Sequence, residues 1–154
     1  YDLESYVAIH QGTIFGALTL ATGSIWAKAS WGHWWVWDSN QLVLFLVLFL
    51  FYSAYFMLRF SVEPGPRRAS MSAVYALFGV VLIPVSFLAI RLAEGLIHPV
   101  VFDRDLGSNL SGSQLLTFCV CFAGMVALAG SLYVNELTGK RVDERLRELR
   151  EALS

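Results

Sequence analysis

Charged side chains are scarce in this chain of 154 residues, since only 15% of them are Asp, Glu, Lys or Arg. A soluble domain usually carries about 25%. The formal net charge is −1 at pH 7, so no excess of basic charge indicates nucleic acid as a partner. Apolar residues make up 56% of the chain and occur in long blocks. The composition therefore excludes an ordinary soluble domain and predicts a membrane protein.

Cysteine is also rare, with only Cys119 and Cys121 present. Their spacing places them on different sides of a helix, which disfavours a disulfide between them. The pattern Cys-x-x-Cys-His, which attaches haem covalently, is absent. We expect two buried, inert thiols.

Tryptophan is missing from the whole chain except residues 26–37, where all five lie. We call residues 26–38 the Trp segment. One interpretation is an aromatic belt at the membrane surface, although belts usually carry fewer Trp residues. The other is a binding surface for a large planar ligand, because indole offers a broad apolar face and one N–H donor. Asp38 closes the segment, and we expect it mainly to cap the following helix and also to help build the site.

Four stretches are long and apolar enough to span a bilayer, which needs about 20 residues. They cover residues 6–26, 41–60, 71–92 and 114–133. The fold class predicted is all-α, a polytopic membrane bundle of four transmembrane helices followed by an amphipathic cytoplasmic helix. Residues 1–135 form the membrane domain, with outer loops over 27–40 and 93–113, and residues 136–154 form the tail.

Basic residues concentrate in the second loop and in the C-terminal tail, which lie on one side of a four-span protein. The positive-inside rule places both in the cytoplasm and the Trp segment on the outer face. In the tail, Val142, Leu146, Leu149 and Leu153 share one helix face. That face indicates either a solvated or interfacial helix or contact with a cytosolic partner subunit.

Two of the three histidines lie on the predicted outer face. His98 follows the third span, where it is either an ordinary polar residue or an axial ligand of a haem iron. His33, inside the Trp segment, is a weaker candidate for the same role. Lys28 and Arg91 either snorkel to the membrane surface or pair with haem propionates. His10 lies within the first span, and we expect it to pack between helices.

The sequence from Trp31 to Asp38, Trp-Gly-His-Trp-Trp-Val-Trp-Asp, resembles the WWD motif of haem-handling membrane proteins. Residues 21–28, and the segment from Leu82 to Pro99, resemble the haem exporter protein C (CcmC) branch of that superfamily. The resemblance covers residues 5–135 and matches the C-terminal four of about six family spans. It implies that Trp31, Gly32, Trp34, Trp35, Trp37 and Asp38 bind a non-covalent b-type haem, with His98 on the iron.

The same resemblance implies a location in a bacterial or organellar inner membrane and a role in c-type cytochrome biogenesis. The implied partners are the haem chaperone CcmE, the ABC transporter subunits CcmA and CcmB, and the small subunit CcmD. We therefore expect a haem-delivery module rather than an enzyme. Two alternatives stay open: a haem lyase subunit of the CcmF or CcsA type, and a structural membrane subunit with an aromatic belt.

Overall fold

The computed structural model describes residues 2–92, 102–103, 107–108 and 110–153, with side chains for 2–89 and 110–153. Its helices are α1 (Asp2–Trp31), α2 (Asn40–Ser61), α3 (Pro66–Leu92) and α4 (Gly112–Leu153). A pair of two-residue antiparallel strands, β1 (Phe102–Asp103) and β2 (Gly107–Ser108), lies between α3 and α4. The chain forms two units, Tyr1–Ile97 and His98–Ser154. The predicted all-helical class is confirmed.

Within the described residues, three helices are long and apolar enough to cross a membrane: Asn40–Ser61, Pro66–Ala89 and Gly112–Leu153. They contain the second, third and fourth predicted spans. The first predicted span lies within α1, whose 30 residues extend for about 45 Å. This helix is not among the three, because His10, Gln11 and several Thr and Gly residues lower its mean hydropathy. That the chain crosses the membrane four times therefore remains a prediction.

The ends of α2 and α3 follow from local chemistry. Ser39 is the N-cap of α2, where its side-chain oxygen accepts from the Leu42 N–H at 3.5 Å. The helix ends at Ser61, before Pro64 removes a backbone donor. Pro66 then occupies the first position of α3, where a missing N–H costs nothing. The prediction that Asp38 caps α2 is wrong, because the neighbouring Ser39 does so.

Helix α4 is one continuous helix of 42 residues, not the separate span and tail helix of the prediction. It starts with a capping box, in which Ser111 and Gln114 exchange hydrogen bonds between side chains and backbone N–H groups. No proline interrupts it. Both cysteines are free and exposed on α4, so the expectation of buried thiols is wrong.

The first unit is an antiparallel arrangement of α1, α2 and α3. Between α1 and α2, Phe56 makes edge contacts with the rings of Tyr6 and His10, which stack on each other. His10 thus packs between helices, as predicted. Between α2 and α3, Phe51 and Tyr75 stack with centroids 4.3 Å apart, and the Tyr75 hydroxyl donates to the Phe51 carbonyl oxygen at 2.9 Å.

A buried arginine joins the same three helices at one end. Arg59 of α2, only 6% exposed, donates to both carboxylate oxygens of Asp2 in α1 at 2.7 Å. It also contacts the hydroxyls of Tyr55 and Ser72, at 3.3 and 3.5 Å, and lies over the Tyr6 ring. A guanidinium needs such partners, because an unpaired charge is costly away from water. We call these five residues the Arg59 cluster.

We expect Asp2→Asn to destabilise the first unit by roughly 1–3 kcal/mol, because Arg59 loses its charged partner. The hydrogen bonds from Arg59 hold the pKa of the Asp2 carboxyl below its ordinary value. The stabilisation is therefore complete above the unfolded pKa of about 4 and is lost as pH falls through the lower, folded pKa. Unfolding of the detergent-solubilised protein, followed by circular dichroism between pH 3 and 7, measures both effects.

Glu63→Gln is the matched control, because Glu63 is an exposed carboxylate in the turn after α2. Its stability and pH profile should equal those of the wild type. Equal stability of Asp2→Asn and Glu63→Gln across this pH range would contradict the role given to the Arg59 cluster.

A close approach between α2 and α3 generates a second prediction. A Cβ atom at the buried Gly79 would lie 2.8–3.0 Å from three atoms of the Tyr52 side chain. We expect Gly79→Ala to destabilise the unit by about 1–2 kcal/mol, since the overpacking exceeds the gain in helix propensity. Gly23→Ala, with nothing within 4 Å, should be neutral or stabilising in the same unfolding measurement. Equal effects of the two substitutions would refute this packing.

Candidate functional site

The Trp segment joins the end of α1 to the start of α2. The predicted outer loop covered residues 27–40, but α1 continues to Trp31, so only residues 32–39 lie outside the helices. Ala27, Lys28 and Ala29 are compatible with a helix and extend α1. Gly32 then ends it with a φ of +80°, a left-handed conformation that favours glycine.

Lys28 stabilises this helix end. Its Nζ donates to the Gly32 carbonyl oxygen at 2.9 Å, while the Gly32 N–H donates to the Lys28 carbonyl oxygen at 3.1 Å. A cation at the C-terminus of a helix also interacts favourably with the helix dipole. The side chain is exposed, so it lies at the surface of the Trp segment while capping α1.

Four of the five indoles form two edge-to-face pairs. Trp26 and Trp31 pack with centroids 5.0 Å apart on the last turns of α1. Trp35 and Trp37 pack with centroids 6.0 Å apart in the turn before α2. The most exposed indoles are Trp37 and Trp34, at 71% and 59%. The segment therefore holds its rings in place and presents broad apolar surfaces outward.

One donor in this segment lacks an acceptor. The indole Nε1 of Trp35 is buried and has no hydrogen-bond partner in the described part of the chain. A buried N–H without an acceptor costs free energy, and an acceptor supplied by a ligand would remove that cost. The arrangement thus offers apolar indole faces next to a donor for an anionic or carbonyl oxygen.

The remaining predicted site residues divide into two groups. Gly32, His33 and Asp38 are exposed in the turn, so they share the surface with Trp34 and Trp37. His98 lies outside the described residues, as does most of the predicted outer loop over 93–113. Arg91 belongs to the last turn of α3, and its side chain is outside the described ones.

A cavity of about 570 Å³ lies elsewhere, among α1, α2 and α3. Its lining is apolar and includes Gly12 and Gly16 of α1, Phe45 and Phe49 of α2, and Val80 of α3. None of the predicted site residues that the structure describes with side chains lines it. Neither this cavity nor the Arg59 cluster was predicted from the sequence, because contacts between distant residues leave no local pattern.

Comparison with known proteins gives the family. Residues 2–152 match the family described as heme exporter protein C. Heme exporter protein C of Bradyrhizobium diazoefficiens is 30% identical over 148 residues, covering 96% of this chain and 56% of that protein. The Rhodobacter capsulatus protein of the same name is 30% identical over 150 residues, with coverages of 96% and 60%.

A second group of relatives carries a different name. The cytochrome c biogenesis protein CcsA of Prochlorococcus marinus is 39% identical over 93 residues, covering 59% of this chain and 29% of that protein. The chain spans a little over half the length of the heme exporter proteins that it matches. The match to the family extends over nearly every residue described above, and the chain therefore belongs to the heme exporter protein C family.

Proposed function

We propose that this protein binds haem on the Trp segment and passes it on during c-type cytochrome biogenesis. Membership of the heme exporter protein C family supports an association with haem and with that pathway. The observation that carries the proposal is the exposure of Trp34 and Trp37 beside the buried, unpartnered Trp35 Nε1. Haem combines a flat apolar ring with two carboxylates, and these residues offer a complementary surface for both parts.

In this proposal haem is cargo, and the chain's own residues hold it by two kinds of contact. The exposed indole faces pack against the ring, which removes apolar surface from water. The Trp35 N–H donates to a propionate oxygen, which gives that donor the acceptor it lacks. Lys28 and Arg91 are the candidate cations for the propionates. Lys28 must then share its ammonium group between the Gly32 carbonyl and the cargo.

The iron requires a ligand that the indoles cannot supply, and His98 is the one we propose. A neutral imidazole nitrogen is the common axial ligand of haem iron. His33 is the second candidate, because it is exposed in the turn between Trp31 and Trp34. Non-covalent contact through one histidine and a surface of indoles would leave the cargo replaceable by a chaperone's ligand.

Transfer of haem to a chaperone requires that the bound haem be accessible and lie on the same side of the membrane as the chaperone. The loop between α2 and α3 and the tail of α4 are both basic. By the positive-inside rule, this favours a location of the Trp segment on the outer face of an inner membrane. We propose that haem held there is presented to the chaperone CcmE, in a complex with CcmA, CcmB and CcmD. An edge of the ring left free by Trp34 and Trp37 would be the part that the chaperone contacts.

The CcsA relatives favour one second function, attachment of haem to apocytochrome c as in a haem lyase. The two functions differ in their product. A lyase subunit would leave haem bonded covalently to cysteines of a cytochrome, whereas a delivery module gives non-covalent haem to a chaperone. Pyridine haemochrome spectra of the recipient protein after transfer distinguish the two, because covalent attachment saturates the vinyl groups.

We predict that Trp34→Ala and Trp37→Ala lower the haem content of the purified protein, each by roughly fivefold, since burying an aromatic ring contributes about 1 kcal/mol or more. The measurement is the Soret absorbance per protein after equilibration with hemin in detergent. Phe78→Ala is the control, because Phe78 is an exposed ring on α3, outside the Trp segment. Unchanged haem content in all three variants, with lowered stability only, would leave the structural aromatic belt as the role of the segment.

A separate prediction tests the iron ligand. His98→Ala should shift or weaken the Soret band, and added imidazole should restore the wild-type spectrum, because an exogenous ligand can fill the vacated axial position. His33→Ala should leave the band position unchanged. A shift in His33→Ala but not in His98→Ala would reverse the assignment, and identical spectra in all three proteins would exclude both histidines.

A further inference from the structure

Helix α4 is longer than a bilayer is thick. Its 42 residues extend for about 63 Å, whereas the hydrocarbon core measures about 30 Å. Residues 113–135 contain no charged side chain, and Glu136 is the first in the helix. Residues 136–153 therefore form a helical extension of roughly 27 Å in water. We call these residues the α4 extension.

The α4 extension carries a row of apolar side chains. Val142, Leu146, Leu149 and Leu153 are separated by four, three and four residues, which is the spacing of the a and d positions of a heptad repeat. All four side chains are exposed, by between 47% and 89%. Leucines at this spacing form a continuous apolar strip. A strip of this kind exposed to water indicates a surface that a partner covers.

Charged residues flank this row in a way that restricts the partner. Arg145 and Arg150 occupy the g and e positions next to the apolar row, and Asp143 occupies the other e position. In helix pairs, residues at e and g face those of the opposite helix and set partner choice by their charge. A matching helix therefore carries carboxylates opposite Arg145 and Arg150.

A second copy of this chain does not meet that requirement. Copies inserted in one orientation pair their extensions in parallel, which places Arg145 opposite Arg150 of the second copy. These like charges repel each other. A lipid surface is also a poor partner for this row. Residues 140–153 carry five basic and four acidic side chains, so they have little net attraction to anionic lipid. In addition, α4 is continuous, whereas a helix that leaves the membrane and then lies in its plane needs a break.

We propose that the α4 extension docks an amphipathic helix of another polypeptide, one with an apolar row flanked by acidic residues. The extension covers only two heptads, so this interface is small and supplements other contacts of an assembly. The positive-inside rule predicts that it lies in the cytosol. The proposal does not depend on haem binding.

The test uses the full chain in zwitterionic nanodiscs and two fluorescent synthetic helices of three heptads each. Both peptides carry Leu at a and d; one carries Glu at e and g, and the other carries Lys. We expect the acidic peptide to bind at least tenfold more tightly by fluorescence anisotropy. Leu146→Lys should weaken its binding at least tenfold, whereas Glu144→Gln, on the far side of the helix, should change it less than twofold.

The double substitution Arg145→Glu, Arg150→Glu should invert the preference, so that the basic peptide binds more tightly. Equal affinities for the two peptides, or binding insensitive to Leu146→Lys, would overturn the proposal. Cross-linked dimers that disappear in Leu146→Lys would show a second copy on this face instead. With the exposed Cys119 and Cys121 replaced by Ser, a nitroxide can be attached at Leu149→Cys alone. Greater accessibility of this nitroxide to oxygen than to a water-soluble nickel reagent would place the face in lipid and also overturn the proposal.

Discussion

Among the side chains that the structure describes, Arg59 is the buried charge on which the arrangement of α1, α2 and α3 depends. It bonds Asp2 of α1 from α2, and it contacts Ser72 of α3, so one guanidinium fixes three helix ends. Apolar side chains cannot fix these helix ends as specifically. An apolar side chain in a membrane is covered equally well by lipid and by a neighbouring helix, so it does not favour one helix arrangement. With the helices antiparallel, this cluster lies at the end opposite to the Trp segment, which then joins α1 and α2 at a defined separation.

Local chemistry explains why the Trp segment presents its indoles. Gly32 ends α1 and Ser39 starts α2, so the intervening residues must turn within a short distance. The turn pairs Trp35 with Trp37 and leaves Trp34 and Trp37 largely exposed. A rigid aromatic surface on a short turn holds a flat ligand at lower entropic cost than a long loop would.

The apolar blocks predicted the positions of α2, α3 and α4, because burial in lipid requires long helical segments whatever their neighbours are. They did not predict where α1 ends, since Ala27–Ala29 favours a helix while the surrounding Trp residues suggested a loop. The Trp segment itself was found from composition alone. Asp38 was predicted to cap α2, but the cap is the next residue, Ser39; both residue types cap helices well, so residue type alone does not locate the cap. The pair of Asp2 and Arg59 was missed because 57 positions separate the two residues, and only the folded chain brings them together.

Contact between haem and the Trp segment, as we propose it, can be probed directly because all five Trp residues lie within that segment. The decisive measurement is intrinsic tryptophan fluorescence during titration of the detergent-solubilised protein with hemin, recorded together with the Soret band. Haem bound against the indoles quenches most of the emission, in step with growth of the Soret band and with saturation at one equivalent. A Soret band that grows to saturation while the tryptophan emission stays unchanged would place haem away from the segment and contradict the account.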